Sequence, residues 1–240
     1  VPKISKYLIN KGHNVKIICL SDKENLTYKD EISVIRISRS LPIIFRWFKT
    51  IVKIYNVSKK SDLIFINGLG TETTIANLFS RKKVIRKIVG DPVWERVYNK
   101  KLIDESFDDF QENNHGIFIS LQKIIRNWSI KKSNLIITPS QHLKTFIEKI
   151  GFDNKIFVIN NGVTIEETNK VTFQNNIIQL LVVSRLVSQK NIDLIIKAVK
   201  VLENENIILN IVGDGSEINN LKLLVRKYEL KEKVKFIGKI

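Results

Sequence analysis

Short, mostly apolar runs alternate with helix-length amphipathic segments from one end of this 240-residue chain to the other. Residues 15–20, 63–66, 83–89, 135–138 and 156–159 read as strands. Runs that are mostly apolar suit a parallel sheet with covered faces. Between them lie helical patterns over 4–11, 43–59, 71–80, 117–132 and 141–150, the last with Ser140 as a natural N-cap. The second half repeats the alternation. A strand over 177–183 precedes a helix with Ile192, Ile195, Ile196, Val199 and Leu202 on one face. A strand over 207–212 precedes a helix, capped by Ser216, with Ile218, Leu221, Leu224, Val225 and Tyr228 inward. A strand over 234–237 follows. This β-α-β-α-β order is half of a doubly wound sheet, so the fold class is α/β. Asn160-Asn161-Gly162 makes a turn and 164–176 is polar and irregular, which divides the chain into domains at 1–165 and 174–240.

The charge bounds the partners. The chain carries 40 Lys/Arg against 24 Asp/Glu, a net of +16, of which +12 falls in residues 1–170 and +4 in residues 171–240. Such basicity points to nucleic acid, a phospholipid surface or phosphorylated small molecules. Cys19 is the single cysteine, so no intrachain disulfide forms and a reducing compartment fits. No apolar run is long enough to span a bilayer. The chain contains no methionine and opens on Val1-Pro2-Lys3-Ile4, which reads as a fragment cut at both ends.

Two cations stand where a strand hands over to a helix. Arg185 follows the strand end and Lys190 opens the next helix. Ligands of open α/β sheets lie beyond the carboxyl ends of strands, and a helix N-terminus favours anions. A guanidinium fork and a compact ammonium there match a diphosphate. Gly213-Asp214-Gly215-Ser216 follows the adjacent strand, where glycine permits a tight turn or a close approach of backbone to ligand.

These blocks resemble the GT-B retaining glycosyltransferases of family 4. The run from Ser184 to Asp193 is similar to that family's G-R-L-x-x-x-K-G-x-D, with Ser184 and Asn191 in place of glycines. Val212-Gly213-Asp214-Gly215-Ser216-Glu217 is similar to V-G-D-G-P-E, and Phe236-Ile237-Gly238-Lys239-Ile240 to F-x-G-x-V. In the first half Gly12-His13-Asn14-Val15 looks like G-H-E-V, and Ile159-Asn160-Asn161-Gly162-Val163 like I-x-N-G-V. Gly90-Asp91-Pro92-Val93-Trp94-Glu95-Arg96 is similar to the G-D-x-x-W-E-R block of a subset of the family.

The resemblance implies two Rossmann-like parallel-sheet domains facing a cleft, both incomplete here. It implies transfer of a sugar, with retained configuration, from a nucleotide sugar to a glycan or lipid-linked acceptor, as in polysaccharide biosynthesis. Arg185 and Lys190 would bind the donor diphosphate without a metal, with Gly213, Asp214 and Ile240 at the nucleotide. The nucleotide sugar is a substrate, and no cofactor is expected. Asp91 would orient or deprotonate the acceptor, with Trp94, Glu95 and Arg96 beside it. Asp91 also suits the cap of a helix beginning at Pro92. A glycine-rich loop before Val1 and an E-x7-E block after Ile240 belong to the family pattern, so this piece alone is expected to be inactive.

Residues 36–60 hold seven cations and no acid. Ile44, Trp47, Phe48, Ile51 and Tyr55 share one helical face, and Arg46, Lys49 and Lys53 another. This suits either a packed helix with a basic outer face or attachment to an anionic leaflet, and a cytoplasmic, peripheral location. The acidic run 104–109 reads as a solvated loop, and His115 and His142 lack metal-ligand spacing. Two other readings compete. A GT-B sugar-nucleotide epimerase needs its own acid/base set, and none is visible. A nucleic-acid binder needs aromatics interleaved with cations on a sheet face, whereas these follow helix and strand-core positions.

Overall fold

A computed structural model describes residues 2–22, 32–163 and 177–240. The expected interdomain stretch 164–176 lies outside the described residues. Two compact units result. One comprises Val1–Asp91 and His115–Gly162, the other Pro92–Asn114 and Val163–Ile240.

The first unit contains α1 (Pro2–Asn10), β1 (Lys16–Leu20), β2 (Ser33–Ile37), α2 (Ile43–Ser58), β3 (Leu63–Ile66), α3 (Gly70–Ser80) and β4 (Lys83–Lys87). The second unit takes α4 (Pro92–Asn99) and α5 (Phe107–Glu112), and the chain then returns to the first through α6 (Gly116–Lys131), β5 (Leu135–Thr138), α7 (Gln141–Lys149) and β6 (Lys155–Val158). Strands β1 and β2 pair in parallel, with Ile18 opposite Ile35. The other sheet runs β3-β4-β5-β6, all parallel. Its inward positions are closed by Ile66, Val84, Ile88 and Ile136, each under a tenth exposed. Ser140 caps α7 as the sequence suggests, its hydroxyl accepting from the Leu143 N–H at 3.3 Å. Cys19 is half-buried on β1.

The second unit continues with β7 (Ile178–Val183), a 3-10 turn (Ser188–Lys190), α8 (Ile192–Val201), β8 (Ile207–Val212), α9 (Ile218–Lys227) and β9 (Val234–Gly238). The three strands are parallel, in the order β7-β8-β9. One core holds Leu186, Ile192, Ile196, Val199, Leu209, Ile211, Leu221 and Val225, with Ile195, Ile218, Leu224 and Tyr228 packed against it. Leu202 departs from its expected inward place, standing 45% exposed just past the end of α8. Leu181 and Val183 of β7 are 67% exposed, so the apolar run of this strand does not reflect burial on both faces here.

Three further differences from the sequence reading concern 92–114, 104–109 and Ser216. The 92–114 segment groups with the second unit rather than with residues 1–165, because Asn99 and Lys101 bond residues of that unit (below). The acidic run 104–109 is partly helical: the Ser106 hydroxyl accepts from the Asp109 N–H at 3.2 Å, and Asp108 and Asp109 fall in the first turn of α5, where the helix dipole favours them. Ser216 does not cap α9, which begins at Ile218 after Glu217 with no side-chain cap bond.

Candidate functional site

Of the two phosphate-binding candidates, Arg185 lies just past its strand as expected, whereas Lys190 lies in a separate turn before the helix it was expected to open. Arg185 follows β7 and Lys190 closes the 3-10 turn before α8. Both are exposed, and among the described residues neither side chain has a partner. The turn is built by backbone bonds from Lys190 N–H to the Val187 carbonyl (2.9 Å) and from Asn191 N–H to the Ser188 carbonyl (3.0 Å). Asn191 then adopts φ +48°, the left-handed conformation. Glycine or asparagine takes that conformation at least cost, which explains how asparagine replaces the family's glycine there.

The glycine loop is bound to this cation-bearing loop along its backbone. Ser184 N–H donates to the Val212 carbonyl (3.1 Å), Leu186 N–H to the Asp214 carbonyl (3.0 Å), and Glu217 N–H to the Leu186 carbonyl (2.9 Å). A Cβ at Gly213, whose φ is +135°, would lie 1.8 Å from the Ser184 oxygen, and one at Gly215 would lie 2.3 Å from the Leu186 oxygen. Both glycines are therefore required by backbone meeting backbone. Asp214 is exposed, its carboxylate accepting from the Gly215 N–H at 2.7 Å, and Ile240 is 94% exposed.

Glu217 joins this loop to the 92–114 segment. Its carboxylate accepts from Lys101 Nζ (3.0 Å), Asn220 Nδ2 (3.0 Å) and Ser188 Oγ (3.3 Å). The Asn220 bond, followed by Lys101 and Ser188, holds its carboxyl below the usual range despite an opposing cost of burial. A second tie runs from the Gln189 N–H to Asn99 Oδ1 at 3.2 Å. Residues 188 and 189 of the Lys190 turn are thus each held by a separate bond. Sequence reasoning missed Asn99, Lys101 and Glu217 as a group, because they are distant along the chain and fit no motif together. A cleft of 690 Å³ lies beside them, walled by Tyr98, Lys101, Ser188, Asp193 and Glu217 among others, but not by Arg185 or Lys190.

The acceptor-side candidates lie at the end of the β4 loop and on α4. Asp91 is 1% exposed and forms an ion pair with Arg126 of α6, itself 7% exposed. Burial lowers the Arg126 pKa, while the Asp91 charge and hydrogen bond raise it. Arg126 also lies over the Phe146 ring, 5.1 Å from its centroid. A carboxylate so enclosed anchors the end of the β4 loop and is not presented to solvent as a free base. Trp94 is half-buried: its indole N–H donates to the Glu105 carbonyl (3.2 Å), and its ring packs on Tyr98 (5.1 Å) and Phe107 (5.7 Å). Glu95 is half-buried and Arg96 exposed on the same helix.

On α2 the packed face is Thr50, Ile54 and Ser58 rather than the apolar face read from sequence. Ile43, Ile44, Phe45 and Phe48 are 68–77% exposed and Trp47 is 44% exposed, with Lys49 and Lys53 exposed beside them. Ile51 and Tyr55 are half-buried, and Arg46 is tied by Nη1 to the Arg39 carbonyl at 2.6 Å. Among the described residues, no helix is long and apolar enough to cross a membrane, and no cluster of three metal-ligating side chains occurs.

The family model described as Glycosyltransferase Family 4 matches residues 3–167, and that described as Glycosyl transferases group 1 matches residues 163–240. This chain belongs to glycosyltransferase family 4. The family 4 chain shares the GT-B fold with solved structures of low identity. A point mutant of S. aureus TarM, in complex with fondaparinux, alpha-GlcNAc-glycerol and UDP, is 21% identical with a TM-score of 0.58, over 81% of this chain and 37% of that one. Anabaena Alr3699/HepE in complex with UDP-glucose is 18% identical with a TM-score of 0.60, over 87% and 56%. A glycosyltransferase from Rickettsia africae ESF-5 is 18% identical with a TM-score of 0.59, over 99% and 63%. The chain thus spans between about a third and two thirds of the length of these proteins. No curated protein sequence matches it.

Proposed function

We propose that the protein to which this family 4 chain belongs is a metal-independent, retaining glycosyltransferase that moves a hexose-like sugar from a nucleotide-sugar donor to a glycan or lipid-linked acceptor. The observation that carries this reading is the pair of exposed cations Arg185 and Lys190, without partners among the described residues, on the loop between the carboxyl end of β7 and the N-terminus of α8. As the bond to the sugar breaks, negative charge accumulates on the departing diphosphate. Fixed cations and helix-terminal N–H groups stabilise that charge most in the transition state. Gly213, Asp214 and Ile240 are assigned to the nucleotide side. Asp91 is assigned to holding the β4 loop through Arg126, and Trp94, Glu95 and Arg96 to the acceptor side. UDP or UDP-glucose in the solved neighbours makes a uridine donor the first to test. In the full-length protein, Arg185→Ala and Lys190→Ala are each expected to lower donor turnover at least tenfold. Near-wild-type turnover in both variants overturns the assignment.

Peripheral attachment to an anionic membrane on its cytoplasmic side belongs to the same proposal. Its support is the exposed apolar edge of α2 with Lys49 and Lys53 alongside, each cation near such a leaflet adding about 1 kcal/mol. The chain should pellet with anionic liposomes at low salt, and Trp47→Ala with Phe48→Ala should weaken this. Failure of the wild type to pellet refutes attachment.

A further inference from the structure

Arg86 is a buried cation that the donor chemistry does not use. It lies on β4 opposite Ile66 of β3, close to the carboxyl ends of these strands, and is 5% exposed. Among the described residues its hydrogen bonds run through Nη2, whose two hydrogens are shared among Thr74 Oγ1 (2.8 Å), Ser129 Oγ (3.0 Å) and the Gly70 carbonyl (3.3 Å). Its Nε is buried without a partner and its Nη1 bonds no protein group among the described residues. Among the described residues no carboxylate is bonded to this guanidinium, and burial alone pushes its pKa down to about 10. Neutral oxygens satisfy part of its donor set and none of its charge.

Its surroundings add to the imbalance. The guanidinium abuts the first turn of α3, where the helix dipole is positive and the earliest N–H groups lack intrahelical partners. The first i→i−4 bond of this helix runs from Thr73 N–H to the Leu69 carbonyl, so the N–H groups of Gly70, Thr71 and Glu72 precede it. Glycine at position 70 leaves this meeting point uncovered. A Cβ there would lie 3.4 Å from Nη1 and 3.6 Å from Cζ, ordinary contact that would roof the guanidinium. Gly70 itself is half-buried and Gly68 before it is exposed, so the uncovered edge borders solvent.

We propose that Arg86 and the first turn of α3 form an oxyanion-binding site in the first unit that takes a phosphomonoester group. Nη1 supplies one charged donor and the N–H groups of the first helical turn the others, the mixed donor set that suits phosphate oxygens. The site stands on the first unit alone. Assigning its anion to the sugar acceptor rests on the transferase reading, and makes that acceptor a phosphorylated one.

Thermal unfolding of the chain in rising inorganic phosphate, against chloride at matched ionic strength, tests the site. The wild type should show a saturable rise in Tm. Gly70→Ala keeps the backbone free of a clash but covers Nη1, and Arg86→Met removes the charge, so both should lose the saturable part. The same rise in wild type and Gly70→Ala, or no saturable rise in the wild type, overturns the proposal. UDP-sugar binding by the full-length protein reports on Arg185 and Lys190 and should be unchanged in Gly70→Ala, so failure of one reading is distinguishable from failure of the other. Comparing glycerol 3-phosphate in solution with phosphatidic acid in vesicles then separates a free phosphomonoester from a lipid headgroup as the natural source.

Discussion

Replacing Asp91 by alanine is the sharpest test of what holds the first unit together. Both members of the Asp91–Arg126 pair are out of water, with side-chain exposures of 0% and 7%. Removing the carboxylate leaves a guanidinium that cannot lose its proton at neutral pH and cannot reach solvent without moving α6. Breaking a buried pair in this way costs about 3–5 kcal/mol. At roughly 2–4 °C per kcal/mol for a domain of this size, Tm falls by about 6–20 °C. Removing both charges in Asp91→Ala/Arg126→Met should recover most of that loss, because the buried unpaired charge is gone, giving a coupling energy of about 2 kcal/mol or more. Urea unfolding followed by circular dichroism, for wild type, both single variants and the double variant, supplies the cycle. A loss below about 1 kcal/mol for Asp91→Ala, or a double variant as unstable as the two singles combined, would refute the structural role. A carboxylate acting only as a base would show a different signature: lost turnover at unchanged stability.

Further expectations follow from other parts of the molecule. Glu217 has a folded pKa below its ordinary value of about 4.3, so its contribution is complete above that value and is lost as pH falls through the lower folded one; Glu217→Gln should flatten the acid side of the Tm–pH profile, and superimposable profiles would discount the contact. Gly215→Ala drives a Cβ against the Leu186 carbonyl and should cost about 3 kcal/mol or more in denaturant titration, whereas Gly70→Ala should be close to neutral. Asn191→Val places a β-branched residue at φ +48° and should lose about 1–2 kcal/mol, with Asn191→Gly retaining stability. Ile196→Ala opens the centre of the second core and should cost about 2–5 kcal/mol by the same measurement.

Much of the fold was legible because strands and helices leave different periodicities. Leu63–Ile66, Leu135–Thr138 and Ile207–Val212 have the bounds that their apolar runs suggest. Strand β2 was missed: Ser33–Ile37 is short, contains Arg36 and gains its meaning only from pairing with β1. The glycines at 213 and 215 were visible as a motif, but the backbone oxygens that demand them were not, since those lie some thirty residues earlier. Asp91 was visible as a conspicuous acid, and Arg126, the residue that encloses it, lies 35 positions away in a helix whose pattern suggests only packing. The same distance hides the Lys101–Glu217 tie, 116 positions apart. Chemistry carried by adjacent residues can be read from a string of letters, whereas chemistry made by tertiary neighbours cannot.

The backbone bonds between the Ser184–Leu186 and Val212–Glu217 stretches weld two loops into a single block with no slack for side chains at the seam. Such a block cannot reshape itself for one sugar over another. Under the proposed donor role of Arg185 and Lys190, diversification of donor choice falls to whatever surrounds the weld, with the charged loop as a fixed handle on the part that every nucleotide sugar has in common.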